Sequence, residues 1–236
     1  SICEGAIKID DLKDFSKENK IKSLAISDTT NLCGALEFAE KLSKVGTQPI
    51  IGTQINFKYN DTVGLLPLYA LNEAGYKKII DLSSLSYLKN EELTEPHLDF
   101  DTLLDKNNGV SIFSGTVNGL FGQLFDKGKF SEINDLYLKL KSKYNDRFYI
   151  EIQRHGDQNE NGFEKFNLNK SKELEIPIIA TNEVFYIDKN MHEAHDALIC
   201  IKNKTYINEK NRVRFSDQHY LKNNSEMSEL FADLPE

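Results

Sequence analysis

Short apolar, β-branched runs alternate along this chain with longer segments whose apolar residues recur at helical spacing, the pattern of βα units around a parallel sheet. Leu24-Ala25-Ile26 reads as a strand, and Leu36, Phe38, Ala39 and Leu42 follow on one helix face. Pro49-Ile50-Ile51 and the alternating segment Gln54 to Tyr59 predict extended chain closed by an Asn60-Asp61 turn, and Gly64 to Leu71 leads into a helix carrying Tyr76, Ile79, Ile80 and Leu82. Val110 to Phe113, Phe148 to Gln153 and Pro177 to Thr181 supply further strands. Helices are expected through Ile133, Leu136, Tyr137 and Leu140, around Phe163 to Leu174, near His192 to Ile201 and at Ser225 to Phe231. Several strands end in groups that ligate, hydrogen-bond or take protons: Ser27 and Asp28, Ser114, Arg154 and His155, Thr181 to Glu183. In a closed βα barrel such ends converge on one face, so a polar pocket is expected there.

Composition narrows the function classes. The 236 residues, 39% hydrophobic and 28% charged, suit one soluble globular domain burying ~70% of its unfolded surface. No apolar run approaches the ~20 residues of a membrane span. A formal net charge of -8 argues against this segment wrapping nucleic acid by itself. The nearest basic patch, Lys202, Lys204, Lys210, Arg212 and Arg214, is interleaved with Asn and Glu209 and reads as a solvated loop ahead of a DNA contact. Cys3, Cys33 and Cys200 are odd in number and widely spaced, which fits a reducing cytoplasm rather than a disulfide framework or zinc knuckle. The start at Ser1-Ile2-Cys3 and the end at Leu234-Pro235-Glu236 read as a piece of a longer protein. No GxGxxG, Walker A, GxSxG or EF-hand pattern appears.

Ala180-Thr181-Asn182-Glu183-Val184-Phe185-Tyr186 has the form of a metal-site motif without its metal chemistry: a strand ends in polar residues, and the decisive position holds Phe185, which cannot ligate. His192 and His195 share a helix face but lack zincin spacing, so they read as packing or capping groups. His155 reads as a hydrogen-bonded strand-end histidine before a ligand. Glu4 and Glu183 could pair as general acid and base, although hydrogen-bonded polar groups are the simpler reading.

The succession Glu4-Gly5-Ala6, Ser27 to Gly34, Pro49-Ile50-Ile51-Gly52, Asn72 to Tyr76, Glu151 to Gly156, Ala180-Thr181-Asn182 and Leu230 to Glu236 resembles, in order and nearly end to end, the N-terminal region of bacterial replicative DNA polymerase III alpha subunits. That region is a polymerase and histidinol phosphatase (PHP) domain. The resemblance implies an α/β fold, a distorted (β/α)7 TIM-like barrel, with residues 1–236 as one domain and the family's first strand, with its His-x-His pair, before Ser1.

In metal-competent relatives the resemblance implies a divalent-metal cluster held by His, Asp, Glu and Cys. Position by position, that pattern is degenerate here. Glu4 keeps an acid, and Asp28 stands in the Thr-Asp-His-Gly signature with Thr29 in place of its His. Gln54 replaces a ligating Glu, Leu65 a His, and Thr116 a His or Cys. His155 is retained, Glu183 stands in for Asp, and Phe185 replaces the last His. An amide and hydroxyls that stay protonated near pH 7 supply less charge and donor strength than the groups they replace.

The expectation is therefore a domain with no catalytic residues, metal ligands or cofactor of its own. The parent protein is expected to be a cytoplasmic DNA-directed DNA polymerase using Mg2+ in another domain, where DNA and dNTPs bind. The expected partners are the remaining polymerase domains and a proofreading exonuclease subunit that this scaffold helps dock. The competing expectations are a residual metal-dependent phosphoesterase or 3′-5′ exonuclease using Glu4, Asp28, His155 and Glu183, and a stand-alone phosphatase.

Overall fold

The computed structural model describes residues 4–89, 94–105 and 108–234; Ser1, Ile2, Cys3, Pro235 and Glu236, used above, lie outside them. The apolar runs form strands β1 (Ser23–Thr29), β2 (Gln48–Tyr59), β3 (Thr62–Ala70), β4 (His97–Asp99), β5 (Val110–Phe113), β6 (Phe148–Ile152) and β7 (Ile178–Ala180). They join in the order β1-β2-β3-β5-β6-β7, with β4 beside β2, in a sheet that curls into a half-barrel.

One strand departs from the parallel pattern. The segments read separately around Gly52 are a single twelve-residue strand, and Asn60-Asp61 turns it back so that β3 runs antiparallel to both β2 and β5. The loop between the paired residues Tyr59 and Thr62 is two residues long, and Asn60 takes φ +52°, the left-handed conformation of a tight hairpin that asparagine tolerates. With β3 reversed, β1, β2, β5, β6 and β7 still share one direction, so their C-terminal ends gather at one edge.

The helices are α1 (Ile9–Glu18), α2 (Ala35–Ser43), α3 (Glu73–Leu88), α4 (Leu120–Asp126), α5 (Phe130–Tyr144), α6 (Glu160–Leu174), α7 (His192–Lys202) and α8 (Asn224–Leu230). Alternation along the strands separates two faces. Ile55 and Phe57 of β2, Leu66 and Leu68 of β3, Val110 and Ile112 of β5, and Phe148 and Ile150 of β6 join Ile79, Leu82, Leu120, Phe121, Ile133 and Leu136 from the helices in one dry core. The opposite face carries Ser27, Thr29, Gln54, Tyr69, Glu151 and Thr181, in or just beyond the strands. The fold thus spends its apolar residues on the helix side and leaves the concave side polar.

One close approach locks α3 against the residue that precedes β5, and a cap orders the start of the helix. Position 75 has room for no side chain, because an added Cβ would lie 1.8 Å from the carbonyl oxygen of Gly109. Asn72 caps the same helix by accepting a hydrogen bond from Gly75 N at 3.0 Å.

Candidate functional site

The pocket forms where the codirectional strands end, and its walls are completed by the loops after β6 and β7 and by α7. After β6, Arg154 and His155 leave the sheet. Glu160, in the first turn of α6, reaches back and accepts His155 N at 2.8 Å and Gly156 N at 2.7 Å. This clamp needs the left-handed φ of +81° at Gly156, a conformation glycine adopts without steric cost. Arg154 turns away from the pocket and spends all five guanidinium donors: Glu164 takes two, Asp233 two, and the carbonyl of Leu230 one. Its guanidinium also stands over the Phe231 ring at 4.9 Å.

His155 and His219 stack, with ring centroids 4.0 Å apart and planes 3° from parallel. His155 Nε2 donates to Asn182 Oδ1 at 3.0 Å, and His219 Nδ1 donates to the carbonyl of Glu183 at 3.1 Å, which fixes a neutral tautomer on each ring. Burial depresses both: His155 to about 4, with the nearby Lys222 charge adding, and His219 to about 3, with His155 adding. Lys222 Nζ donates to Asn182 Oδ1 at 3.2 Å and to the Gln218 carbonyl. Phe185 packs against His219 (5.1 Å), His195 (5.3 Å, 10° from parallel) and Phe215 (4.5 Å).

The acids lie around these rings. Glu183 is pushed up to about 7 by burial first, then by the charges of Glu151, Asp157 and Glu4; a hydrogen bond from Gln54 opposes the rise. Glu151 is buried and raised for the same leading reason, against hydrogen bonds from Thr181, Gln153 and the Gly115 backbone. Its Oε2 has no hydrogen-bond partner among the described residues. Asp157 is raised by burial, with Asn118 opposing. A cavity of about 10 Å³, room for one water, is lined in part by Thr116, Glu151 and Asp157. Glu4 closes the ring: its Oε2 accepts Thr29 Oγ1 at 3.1 Å and its Oε1 meets Lys202 Nζ at 2.7 Å.

Of the positions singled out in the sequence, Glu4, Thr29, Gln54, His155, Glu183 and Phe185 thus meet in one pocket, with Thr116 beside it. Asp28 does not join them. It alternates to the other side of β1 from Thr29, and its Oδ2 lies against Gly34, 3.2 Å from where a Cβ there would stand. Leu65 sits on β3 opposite Asn56, with its backbone carbonyl against the loop after β5, 3.1 and 2.8 Å from where a Cβ on Gly115 and Gly119 would stand. The sequence reading missed Glu151, Asp157, His219, Lys202 and Lys222, which share no motif; only the alternation of Glu151 with buried Ile150 and Ile152 could have placed one of them on the concave face. His192 and His195 are hydrogen-bonding groups, to the carbonyls of Phe215 and Glu4 at 2.9 and 2.7 Å.

His155, Asp157 and His219 bring one donor atom each within 4.8 Å of the others, a donor set that suits a divalent transition metal by residue type. Geometry argues against the fit. Ring nitrogens coordinate along a lone pair in the ring plane at ~2.0–2.1 Å, and one ion cannot lie in two stacked, parallel planes. Donation from His155 Nε2 to Asn182 and from His219 Nδ1 to Glu183 leaves His155 Nδ1 and His219 Nε2 as the lone-pair nitrogens, the latter buried with no hydrogen-bond partner among the described residues. It is therefore the parallel stacking alone that opposes a shared ion.

The described residues contain no helix long and apolar enough to cross a membrane. Compared with known proteins, residues 1–155 match the model of the PHP domain family. The chain is 34% identical over its whole length to the DNA polymerase III subunit alpha of Caulobacter vibrioides, covering 21% of that protein. It is 36% identical to that of Rickettsia conorii, covering 20%, and 35% identical to that of Rickettsia felis, also covering 20%. The chain therefore spans about a fifth of the length of these relatives. A solved structure of a candidate metal-dependent phosphoesterase from Bifidobacterium adolescentis aligns over 97% of this chain and 92% of its own, at 11% identity and a TM-score of 0.34.

Proposed function

The chain belongs to the PHP domain family, and on that premise we propose that it serves as the PHP region of a replicative polymerase alpha subunit, a scaffold without hydrolytic chemistry of its own. The parent protein, on this reading, adds nucleotides to a primer end under template direction, with Mg2+ held in a domain outside these residues. The PHP region supports the other polymerase domains and helps hold a proofreading exonuclease subunit. The relatives, all alpha subunits of DNA polymerase III, support the placement.

One observation carries the silent-scaffold half of the reading: the pocket is filled by the protein's own groups. Phe185 is wedged between the imidazoles of His195 and His219, Thr29 donates to Glu4, and Gln54 donates to Glu183. A hydrolytic metal site needs a convergent ligand set and an open coordination position for water. Here an aromatic ring stands among the imidazoles, and Glu4 and Glu183 each accept a hydrogen bond from a neutral side chain, Thr29 and Gln54.

The competing reading, a residual metal-dependent phosphoesterase or 3′-5′ exonuclease, draws on the His155, Asp157 and His219 cluster. The stacked rings count against it. Assay of the purified chain for phosphatase and 3′-5′ exonuclease activity with added manganese or zinc tests the choice: no activity is expected, and hydrolysis abolished by His155→Ala would establish the competing reading. For the scaffold role, an alpha subunit lacking residues 1–236 should pull down less exonuclease than the intact subunit. Equal recovery would refute the docking claim.

A further inference from the structure

Four large apolar side chains stand out of one segment. Ile201 and Tyr206 are each 76% exposed, Ile207 and Val213 each 55%. They lie on the arm that leaves the end of α7, residues 201–214, where the chain reverses at Lys204 with φ +52°. The arm is held in place by other groups. Thr205 N donates to the Cys200 carbonyl at 3.0 Å, and Arg212 grips Asp196 of α7 through two guanidinium nitrogens, both side chains being buried. At the far end Phe215 packs on Phe185 at 4.5 Å. Side chains of this size, left in water on an anchored segment, contribute little to the domain's own packing, and clusters of them mark contact surfaces.

Charge decides what fits there. Residues 201–214 carry five Lys and Arg against one acid, Glu209, on a chain of net charge -8. Lys202 and Arg212 are engaged by Glu4 and Asp196, with Arg214 3.7 Å from the latter, while Lys204 and Lys210 have no acidic partner among the described residues. Two uncommitted lysines are too few to neutralise a track of phosphates, on which nucleic-acid affinity depends. Three of the four apolar side chains are aliphatic, with no ring for a base to stack on. Apolar groups set between cations match instead a protein segment in which Asp and Glu accompany apolar residues. Their spacing by Lys and Asn keeps the surface soluble when bare. A surface that meets a separate subunit needs that property, and one permanently covered by its own chain does not. On the scaffold reading, we propose that the 201–214 arm is the docking surface for the exonuclease subunit, which meets it through an acidic, apolar-bearing segment. Tyr206 and Ile207 supply the apolar anchor, and Lys204 and Lys210 orient the partner's acids.

Surface plasmon resonance of the exonuclease subunit on the full alpha subunit, at low and high salt, tests the proposal. The variants are Tyr206→Ser/Ile207→Ser, Lys204→Glu/Lys210→Glu, a subunit lacking residues 1–236, and the control Leu88→Ser at an exposed position of α3. The apolar pair should weaken binding about 10-fold or more, chiefly through faster release. The charge reversal should slow association, more at low salt than at high, and Leu88→Ser should bind like wild type. Circular dichroism and Tm check that each variant folds, and Tyr206→Ala alone, read by the same criteria, replaces a double variant that does not. Wild-type affinity in both arm variants, with binding lost in the truncated subunit, overturns the arm and leaves the scaffold reading standing; full affinity in the truncated subunit removes both. Arm variants that keep the exonuclease but bind an oligo-dT strand more weakly than wild type overturn the protein partner in favour of nucleic acid.

Discussion

Replacing Glu183 by Gln should stabilise the protein at neutral and alkaline pH, the reverse of what loss of a metal ligand would do. The folded state lifts this carboxyl from its ordinary 4.5 to about 7, through burial and the charges of Glu151, Asp157 and Glu4. A carboxyl raised by folding binds more protons in the native than in the unfolded state, so its contribution to stability falls as pH rises through that window and stays low above it. At ~1.36 kcal/mol per tenfold change in proton affinity, the full penalty above pH about 7 is on the order of 3 kcal/mol. Glutamine carries no charge, has nearly the same shape and can still pair with Gln54. A quarter of the Glu183 side chain remains exposed, so the expected gain is about 2–3 kcal/mol. Urea unfolding of both proteins at pH about 8 and about 5 measures it. The difference is the informative quantity, because His155 and His219, held neutral by burial, have the opposite sign: their contribution is lost as pH falls from the ordinary imidazole range through about 4. The gain should appear at the higher pH and shrink to roughly a quarter of that at the lower. A Glu183→Gln protein that is less stable at pH about 8, or equally stabilised at both, refutes the electrostatic account of the pocket.

Other outcomes follow from particular contacts. Ile112→Ala, at a fully buried position of the central core, should cost about 2–5 kcal/mol in urea unfolding; a loss well under 1 kcal/mol would contradict the packing described. Gly75→Ala would press a methyl into the Gly109 carbonyl and should lower Tm sharply or prevent folding, while Gly128→Ala, where no atom lies within 4 Å but φ is +70°, should lower it modestly. Arg154→Lys keeps the charge but loses the fork geometry, so hydrogen exchange in α8 should accelerate while that of β5 does not; unchanged protection of α8 would show that the helix is held by other means.

Much of the frame was legible because burial leaves a periodic trace. β1, β5, β6 and β7 were read from short apolar runs, and α5 from Ile133, Leu136, Tyr137 and Leu140, since a strand or helix packed on one side must repeat its apolar residues. The reversal of β3 was not, because β2 and β3 both alternate and alternation carries no direction; only the Asn60-Asp61 loop length fixes it. Helix α1 was missed because its apolar face is just Ile9, Leu12 and Phe15 among charged residues. The pocket divides in the same way. Phe185 and Gln54 stood out as wrong residue types at motif positions, whereas His219, Asp157 and Lys202 reach the site through loop and helix geometry that leaves no spacing to recognise. Asp28 shows the limit of motif transfer, since a side chain one place along a strand from Thr29 faces the other way.

Arg154 stands next to His155 in sequence yet points to the opposite side, where it holds Glu164, Leu230 and Asp233 together. Neighbouring residues of one short loop thus belong to two different surfaces, and they cannot move independently. Three of the five bonds, to Leu230 and Asp233, tie the C-terminal end of α8 to the residue before the imidazole stack, and the other two tie that residue to α6. The loop is therefore shared property: any repositioning of the C-terminal end of α8 has to be reconciled with the placement of the imidazole one residue further along the chain.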